Sequence, residues 1–190
     1  MAGSTLGNER LTSSIAIIIF VLLFLEGLTI LQVGALLNWH VFIGVVLIPP
    51  VVFKIASTSW RFARYYVGDP SYRRKGPPPT ALRILGPVVI VLTFALFATG
   101  VALVVGAPAS LRPQLLQWHQ LSFIAWFAVM TIHVLSHVSE TLSAAPRDWL
   151  RRTRRQVEGA SARQWTVATS VALGIVSALW LTPYAAGWHH

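Results

Sequence analysis

Residues 117–137 read QWHQLSFIAWFAVMTIHVLSH, an apolar run that nevertheless carries His119, His133 and His137. An imidazole is costly in hydrocarbon, so three in one such segment ask for a reason. On a helix turning about 100° per residue, the step from His119 to His133 returns to within about 40° of the same face, and the step to His137 completes five turns. All three therefore line one stripe. Along the axis that stripe covers about 21 Å from His119 to His133 and about 27 Å to His137, close to the thickness of a hydrocarbon core. One face of this helix is built for something polar.

The composition agrees with a membrane setting. Of the 190 residues 55% are hydrophobic and only 11% are charged, which predicts an all-α, integral membrane helical bundle. The net charge of +9 would suggest nucleic acid if it were spread over a soluble surface, but it is not. Arg61, Arg64, Arg73, Arg74, Lys75 and Arg83 lie in one short stretch, and Arg147, Arg151, Arg152, Arg154, Arg155 and Arg163 in another. The remaining connections hold only Arg112, so the positive-inside rule puts the two basic loops in the cytoplasm. The charge reads as topology, and no nucleic-acid partner is expected. The absence of cysteine excludes disulfides, thiolate metal sites and iron–sulfur clusters on this chain.

Five spans are expected. Residues 1–11 form a cytoplasmic N-terminus, and the first span, residues 12–34, is too long for a signal-peptide core and is read as retained. It contains Glu26, which should face the bundle interior, neutral or paired. The second span begins at Asn38-Trp39-His40 and contains Pro49-Pro50, expected to kink it. It also carries Lys54, which needs a partner or must snorkel to the surface. Residues 68–79 are rich in turn formers and are expected to be ordered coil. The third span covers residues 81–105, with Gly100 and Gly106 allowing close approach near its end. The histidine helix follows. Residues 140–164 are basic and place Trp149, Leu150 and Val157 at helical spacing, which suits either an amphipathic segment on an anionic leaflet or plain solvated charge. A fifth span, residues 165–184, returns to the outside and the chain ends at residue 190; His189 and His190 are given no role.

An internal repeat joins these parts. Residues 12–139 divide into two hairpins, and in each an apolar helix and a short connection lead to Trp-His, at Trp39-His40 and at Trp118-His119. In each, the residue one stripe-length further on is basic, Lys54 in one and His133 in the other. Two such hairpins make a four-helix unit with His40 and His119 at one depth, able to face each other as two axial imidazoles on one haem iron. Gly44, one turn below His40, gives room for a macrocycle, and Arg112 with its loop can meet propionates. Zinc or copper would ask for a tighter group of three or four ligands. On spacing alone, a haem pair and two interfacial histidines without a ligand both remain open.

The unit with WHVFIG on one helix and WHQLSF followed by HVLSH on the other resembles the membrane-embedded b-type cytochromes with bis-histidine haem. That superfamily includes hydrogenase and formate dehydrogenase cytochrome subunits and ferric-reductase-like domains. The likeness covers residues 12–139 and leaves the fifth span outside. It implies haem b held by His40 and His119, in an electron-transfer subunit exchanging electrons with quinol or a partner redox protein in a larger membrane complex. Many members hold a second haem at a deeper level. Here that level is Lys54 and His133, so His133 is a candidate second ligand only if lysine, an uncommon one, joins it.

Lys54, His133 and His137 otherwise form an inner polar patch suited to quinone or to proton conduction. Two other functions fit the same residues. One is a proton- or ion-coupled carrier whose relay is Glu26, Lys54, His133 and His137; the other is a cofactor-free accessory subunit. No nucleophile elbow, phosphate loop or metalloprotease motif is present, so no independent catalytic reaction is assigned. The expected location is the plasma, or inner, membrane, with the N-terminus cytoplasmic and the C-terminus extracytoplasmic.

Overall fold

A computed structural model describes residues 3–76, 80–144 and 159–188. The described residues are helical: α1 (Gly3–Ile30), α2 (Val33–Tyr66), α3 (Pro70–Lys75), α4 (Thr80–Val105), α5 (Arg112–Ala144) and α6 (Ala160–Leu181), which runs into a 3₁₀ turn over Thr182–Trp188. All but α3 are long and apolar enough to cross a membrane.

The helices differ from the sequence expectations where local chemistry outweighs hydropathy. The first helix starts at Gly3, well before residue 12, because nothing in the polar N-terminal stretch breaks it. The second starts at Val33 after a two-residue turn and departs from helical dihedrals at Leu36. It passes through Pro49-Pro50 as helix. Residues 70–75 are helix rather than coil: Asp69 caps them by accepting the Ser71 N–H at 2.8 Å, Pro70 occupies the first turn, and Gly76 ends them at φ +75°. The Ser71 amide and the Arg64 guanidinium hold the Asp69 carboxyl below its usual range. Trp149, Leu150 and Val157 of the amphipathic proposal lie outside the described residues.

The hairpins predicted from the repeat form. Thr29 meets His40 and Thr12 meets Ser57, pairs separated by seventeen residues on both helices, so α1 and α2 run antiparallel without slippage. In the other hairpin the buried Trp126 indole N–H donates to Thr93 at 2.9 Å, tying α5 to α4. Between hairpins, α1 touches α5 and α2 touches α4, so the four helices close a ring with α2 and α5 on one diagonal. Exposed Trp39, Trp118 and Trp180 mark one end of the bundle and exposed Trp60 and Trp165 the other, as interfacial belts would.

The core lies to one side of that ring. Ile15 and Ile19 of α1, Leu47 of α2 and Val167 of α6 form one cluster; Val45 and Val46 of α2 with Ala178 of α6 form another. Pro50 has no N–H to return to the carbonyl of Val46, and α6 closes on that point: a Cβ at Gly174 would overlap the Val46 oxygen. Glycine thus lets α6 seat where the proline pair opens the ladder. The opposite side is bare. Only 6% of the α5 span is buried, against 28% of the α1 span.

Candidate functional site

The Trp-His repeats deliver their histidines to one place. His40 leaves α2 and His119 leaves α5 across the diagonal, with ring centroids 6.3 Å apart and planes at 85°. Two imidazoles sharing one metal need a similar separation, since roughly 2.0 Å from nitrogen to metal on each side plus half of each ring comes to about 6 Å. Both rings are partly buried.

Hydrogen bonding decides which nitrogens face the gap. His40 Nδ1 is 3.0 Å from Thr29 Oγ1, and His119 Nδ1 is 3.1 Å from Thr99 Oγ1. Each threonine spends its one hydroxyl proton within its own helix. Thr29 donates to the Glu26 carbonyl at 2.6 Å, and Thr99 to the Ala95 and Leu96 carbonyls at 2.8 and 3.0 Å. Each hydroxyl oxygen can therefore only accept from the imidazole, so both histidines carry their proton on Nδ1 and keep the Nε2 lone pair. That is the tautomer a metal-binding histidine needs, and the outward N–H bond that orients it is the usual support of such a ligand. The donor set and its orientation would therefore suit two ligands of one metal ion.

The threonines escaped the sequence reading. Their signal was a polar side chain in the last two turns of an otherwise apolar helix, on the helix preceding each Trp-His. The spacing hid the equivalence, because Thr29 precedes His40 by eleven residues and Thr99 precedes His119 by twenty.

Other candidates fall into three places. Glu26 faces the interior and pairs with His40, its Oε1 3.0 Å from Nδ1. Gly44 lies beside that carboxylate: a Cβ there would sit 3.3 Å from Oε1, so the absent side chain makes room for Glu26. Gly100 provides the close approach expected of it, since a Cβ would lie 3.1 Å from His119 Cε1; Gly106 meets nothing and serves the turn after α4. Arg112 opens α5 and donates Nε to the Ala107 carbonyl at 3.2 Å, bracing the loop above His119. At the other end, the His133 and His137 rings lie tilted at 57° with centroids 4.9 Å apart, and Lys54 is near enough to act electrostatically on His133. That patch lies about 21 Å along α2 and α5 from the His40–His119 pair. Among the described residues no group of three or more His, Asp or Glu side chains converges as a metal cluster.

No protein-family model matches the chain, and neither a curated protein nor a solved structure matches it.

Proposed function

We propose that this chain is a membrane haem b protein of the four-helix, bis-histidine kind, acting as an electron-transfer subunit with His40 and His119 as the axial ligands of one haem. One observation carries the proposal: two histidines on diagonal helices meet at 6.3 Å, each oriented by a threonine that leaves Nε2 for a metal. When bound, haem supplies one-electron exchange at its iron. The chain supplies the rest. Thr29 and Thr99 hold the rings in one tautomer, Gly100 admits the His119 ring, and the apolar helices keep water from the pair. With no cysteine for a thioether, attachment is by ligation and packing alone.

In the orientation drawn from the basic loops, the pair lies toward the extracytoplasmic face. A single haem there cannot by itself carry an electron across a core of about 30 Å, so it exchanges with quinol or a partner redox protein at that side. Lys54, His133 and His137 then serve as the inner polar patch for quinone or protons. The carrier alternative needs Glu26 joined to Lys54 and His133, but Glu26 sits with His40 at the opposite end.

The test is the visible spectrum of detergent-purified protein, oxidised and then dithionite-reduced. The expected result is a Soret band with sharp reduced α and β bands, about one haem per chain, and loss of haem in His40→Ala and in His119→Ala. A ratio near two would assign a second haem to the Lys54 and His133 level. A preparation that stays colourless when haem is supplied, or full haem retention in His119→Ala, would overturn the assignment.

A further inference from the structure

The two proposed ligands are not equivalent. His119 is supported by neutral groups, the Thr99 hydroxyl and the Leu96 carbonyl. His40 has the matching threonine and, in addition, the Glu26 carboxylate 3.0 Å from its Nδ1. A carboxyl group in the apolar part of a helix carries a substantial desolvation cost. Two features aim it. It projects from α1 one turn before Thr29, so both groups reach the same nitrogen, and Gly44 on α2 leaves the space its Oε1 occupies.

We infer that Glu26 is a positioning residue that tunes the site through His40: by accepting the Nδ1–H with a carboxylate oxygen, it makes His40 the stronger donor of the pair and holds the bound haem at a lower reduction potential than two threonine-supported histidines would give. The inference rests on the haem reading above. Its physical basis is that a carboxylate acceptor raises the basicity of an imidazole ligand more than a hydroxyl does, and a more basic ligand favours ferric over ferrous iron.

The experiment is a redox titration of haem-loaded, detergent-purified protein, wild type against Glu26→Gln. The amide keeps an oxygen to accept the same N–H but removes the carboxylate. The expected result is unchanged haem content and an unchanged low-spin spectrum, with the ferric/ferrous equilibrium displaced about tenfold toward ferrous, an upward shift of about 59 mV for one electron. An unchanged or lowered potential would overturn the inference. Should Glu26→Gln fail to hold haem, a second variant decides. His40→Gly combined with Thr29→Val, which removes the other acceptor at that nitrogen, is loaded with haem together with either imidazole or 1-methylimidazole, of which only the first has an N–H to give Glu26. A lower potential with imidazole supports the inference, and equal potentials refute it. If wild type itself takes up no haem, the haem reading has failed, and that outcome is told apart from a failure of the Glu26 role by the spectrum alone.

Discussion

The hairpins α1/α2 and α4/α5 make the same pair, a threonine on the first helix and a histidine on the second, in different settings. The α1/α2 hairpin is covered by α6, carries the buried clusters around Ile15, Leu47 and Val46, and adds Glu26 to its histidine. The α4/α5 hairpin has little cover, relies on Trp126 and Thr93 for its buried link, and gives its histidine a glycine instead of an acid. A repeat in sequence has thus become a division of labour: one half is anchored and charged, the other lean and apolar. Under the proposed function the shared threonine–histidine bond would orient both ligands, and the differences between the hairpins would tune and hold the haem.

The comparison breaks most visibly at the ligands, where either alanine variant should abolish haem. Next are the threonines. Thr99→Val removes the hydroxyl that supports His119 and should weaken haem binding about 10- to 100-fold, the usual cost of losing a ligand's outer hydrogen bond. Thr29→Val should cost less, because Glu26 still accepts the His40 N–H. Haem titration of the two variants checks this, and equal losses would mean that the Glu26 contact gives no support.

Cover by α6 is tested at Gly174. Gly174→Ala forces a methyl group against the Val46 carbonyl and should destabilise the protein by about 1–3 kcal/mol, the range for overpacking a close contact. Thermal denaturation in detergent measures it, and an unchanged midpoint would show that α6 adjusts freely on α2. The smallest effect separates the two glycines beside the site. In Gly100→Ala the new methyl group presses on the His119 ring, whose position ligation fixes; in Gly44→Ala it presses on the movable end of the Glu26 carboxyl. Haem affinity should fall roughly two- to fivefold in the first and less in the second, in keeping with about 0.5–1 kcal/mol for a strained ligand rotamer. A larger loss in Gly44→Ala would show that the α1/α2 side is the more rigid.

Much of this was legible in the chain as written. Hydropathy and the clustering of arginines marked five spans and two basic loops, because long apolar runs and charge asymmetry are properties of composition along a line. The Trp-His repeat singled out His40 and His119, and an acid in an apolar helix singled out Glu26. Other features depended on contacts distant in sequence. The roles of Thr29 and Thr99 follow from where their hydroxyl protons go, which needs the backbone carbonyls of a folded helix. Gly44 was legible as a gap one turn below His40, but that the gap also adjoins Glu26, a residue on another helix, was not. Pro49-Pro50 was legible as an interruption of the hydrogen-bond ladder, but that the residues there keep helical dihedrals beside the place where Gly174 of α6 meets Val46 was not.

By itself the sequence determined that the chain is helical, apolar over five membrane-length stretches, free of cysteine and marked by two Trp-His pairs. Only the tertiary structure decided that those histidines meet across a diagonal, which of their nitrogens is left free, and that Glu26 joins His40 rather than Lys54 or His133. The reason is physical: hydropathy and charge act residue by residue along the chain, whereas tautomer, pairing and close approach depend on a few tenths of an ångström between helices that the chain brings together only once it has folded.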